Sequence, residues 1–192
     1  MNQMSEVLMI ARLRVMTTDA VLNSYHAQVQ QLEPNQRGLL GFSFWRSLEP
    51  DGGLMQVMRY KDRQVADDAL EALVQSKVGP LVASVTLDPP DVALVTPKKK
   101  HGQRFEEVPV GSLCSLAIRF SDPGQQEELE LDTDEVLAEL AYIPGYLGSI
   151  WGNSISMNEE IISAVLWSSE EALMSSIPVS HKVMIQKWQK AI

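Results

Sequence analysis

A chain of 192 residues with 45% apolar content is long enough to bury one compact core, or two subdomains that share an interface. Its formal net charge of -9 argues against a nucleic-acid surface, because phosphate binding needs a concentrated basic face. The single cysteine, Cys114, excludes an intrachain disulfide and fits a reducing compartment.

Residues 6–16 are a strand by content, with Val7, Met9, Ala11 and Leu13 on one face and Leu8, Ile10, Arg12 and Arg14 on the other. Both faces are largely apolar, so helices cover one side and a second sheet the other. The longest early apolar run, residues 7–11, is too short for a signal-peptide core or a membrane span, and a soluble cytoplasmic protein is expected. Thr18 or Asp19 caps a helix whose Leu22, Tyr25, Val29 and Leu32 form one buried stripe. Pro34 ends it, and Gly38 and Gly41 shape the turn into a strand over 41–48. Glu49-Pro50-Asp51-Gly52-Gly53 then closes an antiparallel hairpin with a strand over 54–60. A second helix over 63–78 turns Ala66, Leu70, Leu73 and Val74 inward, and a short strand over 92–95 follows Pro89-Pro90.

The basic run Lys98-Lys99-Lys100-His101, with Gly102, Gln103 and Arg104 behind it, reads as a solvated linker. Cys114 follows in an apolar strand, where a buried thiol is the ordinary reading. A helix around 126–141, a strand pair over 148–155 and 161–167, and a helix interrupted by Pro178 complete the chain, with no clear fourth strand.

These elements repeat. At an offset of 107 residues, without a gap, Gly38, Leu40, Gly41 and Ser47 fall on Gly145, Leu147, Gly148 and Ser154, and Arg12 falls on Arg119. The reading is an α+β protein of two ferredoxin-like βαββα(β) repeats, residues 1–97 and 111–192, joined by a linker over 98–110. Each repeat leaves one sheet face bare, so stacking the two sheets face to face buries both. The chain is then a monomer with an internal pseudo-dimer, or a homodimer of it.

Residues 11–15 (ARLRV), 38–53 (GLLGFSFWRSLEPDGG) and 57–62 (VMRYKD) resemble the antibiotic biosynthesis monooxygenase family, and Pro144 to Gly148 resembles it more weakly. The resemblance implies a dimeric α+β barrel, here as a tandem duplication in one chain. The family's activities include oxygenation of polycyclic aromatics without metal or flavin and haem degradation, and fold does not choose among them. The expected function is a cofactor-independent monooxygenase on a small aromatic substrate. The alternatives are a haem-binding or haem-degrading protein and a non-catalytic ligand-binding barrel. Haem-degrading relatives carry an axial His on the second helix. Here that place reads Leu73 in the first copy and Ser175-Ser176 in the second, with His181 further on.

Cofactor-free oxygenation needs a flat pocket, a base and an anion partner. The first copy, expected to keep the pocket, offers His26 and Tyr25 as proton acceptors. Trp45 and Phe44 would stack on the substrate, and Arg46 and Arg59 would stabilise its anion. Alternation on the strand places Trp45 and Arg46 on opposite faces. The second copy offers Trp151, Asn153, Trp167 and Tyr146, while Arg12 and Arg119 pair structurally with acids. No metal-ligand spacing and no Gly-rich phosphate loop is present in the sequence.

Overall fold

The strands Val7–Leu13 and Leu54–Tyr60 are buried on both faces in the computed structural model, which describes residues 6–15, 23, 27, 38–50, 52–76, 78–157, 159–179 and 183–192. The first unit comprises β1 (Val7–Leu13), β2 (Leu39–Ser47), β3 (Leu54–Tyr60), α1 (Arg63–Gln75), α2 (Val78–Val85) and β4 (Asp91–Gly102). The second comprises β5 (Leu113–Phe120), α3 (Gln126–Leu140), β6 (Tyr146–Ser154), β7 (Glu160–Trp167), α4 (Glu170–Ser176) and β8 (Ile185–Lys190). All eight strands form one closed barrel in the order β1-β3-β2-β8-β5-β7-β6-β4, every pairing antiparallel. Each sheet extends the other edge to edge, rather than two open sheets being laid face to face, and closure removes the unpaired edges.

The even-numbered residues of β1, Leu8 and Ile10, point into the barrel with Trp45, Met55, Val57, Cys114 and Trp188. The odd-numbered ones, Val7 and Met9, pack outward with Met58 and Tyr60 against Ala66 and Ala69 of α1. In the second unit Leu113, Trp151, Val165 and Trp167 pack outward against α3 and α4. Each large side chain fully buried in these layers contributes roughly 1.5–3 kcal/mol. Cys114 is wholly buried, and burial pushes its thiol far above the ordinary range. Helix α1 starts on an Asp62 carboxylate that accepts the Val65 N–H, and it turns Ala66 inward, whereas Val74 is 68% exposed.

The duplication is visible in the registers. A bulge between Leu39 and Gly41 in β2 recurs between Tyr146 and Gly148 in β6, and both units enter that strand through a glycine at positive φ, Gly38 at 82° and Gly145 at 90°. The seams agree as well: Ser47 pairs with Trp188 where β2 meets β8, and Ser154 with Val95 where β6 meets β4. The match is not gapless, however. Val7 lies opposite Tyr60 and Leu113 opposite Trp167, so the first strands correspond at an offset of 106 while β2 and β3 keep 107. A one-residue slip reverses the side-chain face, and Arg12 and Arg119 are therefore not equivalent. Arg12, on the barrel-side register, pairs with Asp91 and donates to Gln186. Arg119 pairs instead with Asp132 and Thr133 of the covering helix α3.

The basic run is not a solvated linker. It is the second half of β4, hydrogen-bonded to β6 through Gly102 opposite Gly148, with a bulge between Pro97 and Lys99. Residues 103–112 then turn back across the barrel and bury Phe105 and Val108 in its core, with Phe105 edge-on to Trp45 at 5.7 Å and 89°. The second unit does have its fourth strand: β8 pairs with β5 along one side and with β2 along the other.

Candidate functional site

Helix α3 presents Asp134, Leu137, Ala138 and Ala141 at the i, i+3, i+4, i+7 spacing of one face. Together with Tyr146, Ser149 and Trp151 of β6 and Lys99, Lys100 and His101 of β4, this face encloses a cavity of about 360 Å³. That is within the range of about 300–1,000 Å³ usual for small-ligand sites. Acidic Glu127 and Glu128 in the first turn suit the positive end of the helix.

The bulges decide which side chains reach the cavity. The one in β6 brings Tyr146 and Ser149, three residues apart, onto one face, and Tyr146 Oη donates to Ser149 Oγ at 2.7 Å. The one in β4 aligns Lys99 with Trp151 and His101 with Ser149. His101 Nδ1 lies 3.1 Å from Tyr146 Oη, and the two rings are tilted by 33° at 5.7 Å. Beneath them Trp167, fully buried, meets Tyr146 edge-on at 6.0 Å. Desolvation pushes the Tyr146 phenol above its ordinary pKa, and the hydrogen bond to Ser149 offsets part of that. Asp134 fixes the floor and the rim together, its Oδ1 accepting Trp151 Nε1 at 2.6 Å and its Oδ2 accepting Lys99 Nζ at 3.0 Å. Asn153, one step further along β6, donates to Glu130 at 2.7 Å.

The residues expected in the first copy are divided. Trp45 faces into the barrel and donates to Ser43 at 2.8 Å. Arg59 is on the same barrel-side register at its mouth, held by Glu106, Glu6 and the Leu40 carbonyl. Phe44 packs on the outer face, whose register Arg46 shares. His26 and Tyr25 lie outside the described residues, as does His181. Of the second-copy residues, Tyr146 and Trp151 line the cavity. Sequence reasoning missed His101, Ser149, Lys99 and Asp134. The charge run read as a solvated linker, whereas a bulge between Pro97 and Lys99 carries β4 on through it.

No family model matches the chain, and no curated protein matches its sequence. Solved structures do share its architecture. A candidate monooxygenase of Fusobacterium nucleatum is 10% identical, with a TM-score of 0.75 over 98% of this chain and 93% of its own. An anthrone oxidase-like protein, also 10% identical, has a TM-score of 0.73 over 98% and 92%. A candidate chlorite dismutase, 12% identical, has a TM-score of 0.65 over 98% and 96%. The chain is a dimeric α+β barrel folded from one polypeptide. This is the fold that the resemblance to the antibiotic biosynthesis monooxygenase family implies, with both halves of the barrel supplied by a tandem duplication.

Haem held as in haem-degrading relatives needs an imidazole on the second helix of a unit. In this barrel Ser176 is buried and gives its hydroxyl to the Leu173 carbonyl at 2.6 Å, Ser175 gives its hydroxyl to the Glu171 carbonyl at 2.9 Å, and Leu73 packs against the first sheet. Among the described residues, these positions of the second helices carry no imidazole for a haem bound in that way. Among the described residues, no group of three or more His, Cys, Asp or Glu side chains is placed to hold a metal ion. No described helix is long and apolar enough to cross a membrane.

Proposed function

We propose that this barrel is a cofactor-independent monooxygenase whose substrate, a small hydroxylated aromatic, lies in the second-unit cavity. The observation that carries the reading is His101 set 3.1 Å from Tyr146 in a cavity with an aromatic floor. Tyr146 has one hydroxyl proton and gives it to Ser149, so its oxygen accepts from His101 Nδ1–H. That tautomer leaves Nε2 unprotonated, ready to take a proton. The raised pKa keeps Tyr146 a neutral phenol, which orients the imidazole without competing as a base.

The chemistry then asks little of the protein. His101 Nε2 takes the substrate's hydroxyl proton, and the resulting anion passes one electron to dioxygen. The radical pair joins through a new carbon–oxygen bond. The peroxide takes back a proton and loses water, so the ring C–H that bonded to oxygen becomes a carbonyl, one oxygen atom ending there and the other in the water. Trp151, Leu137 and Ala141 supply the apolar wall that keeps the anion dry and reducing. The monooxygenase and anthrone oxidase-like names of two structures with this fold support the reaction class.

Oxygen uptake with anthrone and hydroquinone tests the reading. His101→Ala should lower turnover by about 10²- to 10⁴-fold, the usual contribution of a general base. No uptake with either compound, or turnover within a few-fold of wild type in the variant, overturns it.

A ligand site on the outer face of the first unit is a second reading, and Gln56 favours it. This residue is 5% exposed on the outer register of β3, and its buried Nε2 has no hydrogen-bond partner among the described residues, a donor that a ligand oxygen would satisfy. There Phe44 would stack on the ring, Arg46 would face its anion, and His26 or Tyr25 would serve as base. Loss of turnover in Gln56→Leu and His26→Ala, with His101→Ala unaffected, would select this site.

A further inference from the structure

The cavity sets a base beside an apolar wall, and the anion that the base creates needs a partner. A phenol of pKa about 10 gives its proton to an imidazole of about 6.5 with an equilibrium constant of only about 10⁻³ to 10⁻⁴. A cation within about 4–6 Å of the oxygen closes much of that gap. The β4–β6 register decides which cation can do so. Lys99 is opposite Trp151 and His101 is opposite Ser149, so both stand on the face that looks toward α3. Lys100, between them and opposite Ile150, points into the barrel, where Glu6 lies at 3.7 Å. Among the described residues, the charged or titratable side chains on the cavity's face are Lys99 and His101 of β4, Asp134 of α3, Tyr142 just beyond its end, and Tyr146 of β6. Asp134 holds Lys99 in place, Oδ2 accepting Nζ at 3.0 Å while Oδ1 accepts Trp151 Nε1 at 2.6 Å. The Trp151 donor is thereby committed, as the Tyr146 hydroxyl is to Ser149. The Lys99 ammonium has three N–H groups and gives one hydrogen bond among the described residues, so donors remain for a ligand.

We infer that Lys99 is a further catalytic residue of this site, its ammonium receiving the substrate's phenolate oxygen while His101 holds the proton. This rests on the cavity being the substrate site. Residues two apart on a strand lie about 7 Å apart along it, and one oxygen spans that spacing with a hydrogen bond to each side chain. An oxygen touching Nζ has the Asp134 carboxylate beyond the ammonium, so attraction at contact outweighs repulsion from further off. Lys99 makes and breaks no covalent bond and stays protonated throughout.

The test needs no turnover. 1-Naphthol, whose absorption moves to longer wavelength on ionisation, is bound to the full chain without oxygen and titrated with base. Its ionisation constant should rise on binding by about tenfold to a hundredfold. Lys99→Met should remove most of that rise. Lys98→Met should retain it, because Lys98 lies 3.9 Å from Glu130 and does not line the cavity. Lys99→Met also leaves Asp134 without its cation, so the pair Lys99→Met, Asp134→Asn is measured too, and the rise should stay absent. A bound naphthol that ionises as it does in water, a rise that survives in either Lys99→Met protein, or one lost in Lys98→Met overturns the inference and leaves the aromatic cavity standing. If naphthol does not bind, the site assignment falls and the inference with it. If the rise depends on Lys99 but no oxygen is consumed in the uptake assay, the oxygenase reading falls and Lys99 stands as the anion's partner.

Discussion

Arg59 and Glu106 tie the first unit to the connection between the units: Nη2 lies 2.6 Å and Nε 3.0 Å from the same carboxylate oxygen, and the arginine is 8% exposed. Beside them Lys190 of β8 donates to the Glu106 and Val108 carbonyls at 3.0 and 2.7 Å. Burial lowers the Lys190 pKa, and the Glu106 charge opposes that. The connection thus fastens strands from both units around the barrel mouth.

Glu106→Gln leaves a largely buried guanidinium without its main counter-charge, and should cost about 2–4 kcal/mol. Urea unfolding reads this as a lower midpoint at unchanged slope. An Arg59→Met, Glu106→Leu pair should recover much of the loss, because the uncompensated charge is gone.

Phe105→Ala empties the space against Trp45 inside the barrel, and should cost about 3–5 kcal/mol. Limited proteolysis checks it independently. A solvated linker would be cut within residues 98–110 in the wild type. The buried connection should resist, with cleavage there appearing only in the variant.

Tyr146 should ionise above the ordinary phenol range in an ultraviolet titration, because burial disfavours its anion. The folded pKa lies above the unfolded one, so the unfolded chain releases this proton first. Its contribution to stability is complete below about pH 10 and is lost as pH rises through the folded value. Tyr146→Phe should flatten that part of the stability profile.

Gly148→Ala should damage the seam between the units. A Cβ there would sit 2.3 Å from the Gln103 carbonyl oxygen and 2.7 Å from its nitrogen, backbone atoms that cannot swing aside. A loss of about 1–3 kcal/mol is expected from such overpacking. Thermal melting measures it, with Ser175→Ala on exposed α4 as a near-neutral control.

The sequence by itself determined the repeated unit, its hairpins of β2 with β3 and β6 with β7, the helices α1 and α3, the two faces of β1, and the burial of Cys114, because these follow from period-two alternation, helical stripes and turn chemistry, all local properties. It also named Tyr146 and Trp151. Tertiary structure decided the rest. The one-residue shift between β1 and β5 is invisible to sparse identity, yet it sends Arg12 and Arg119 to opposite faces. The course of β4 past Pro97 depends on a bulge that has meaning only when β6 lies alongside. Phe105 and Val108 looked like ordinary linker residues until the closed barrel supplied an interior to receive them. His101 meets Tyr146 only because a strand of the first unit crosses to the sheet of the second, and pairing between residues 45 apart in sequence depends on register across the seam, which no local pattern encodes.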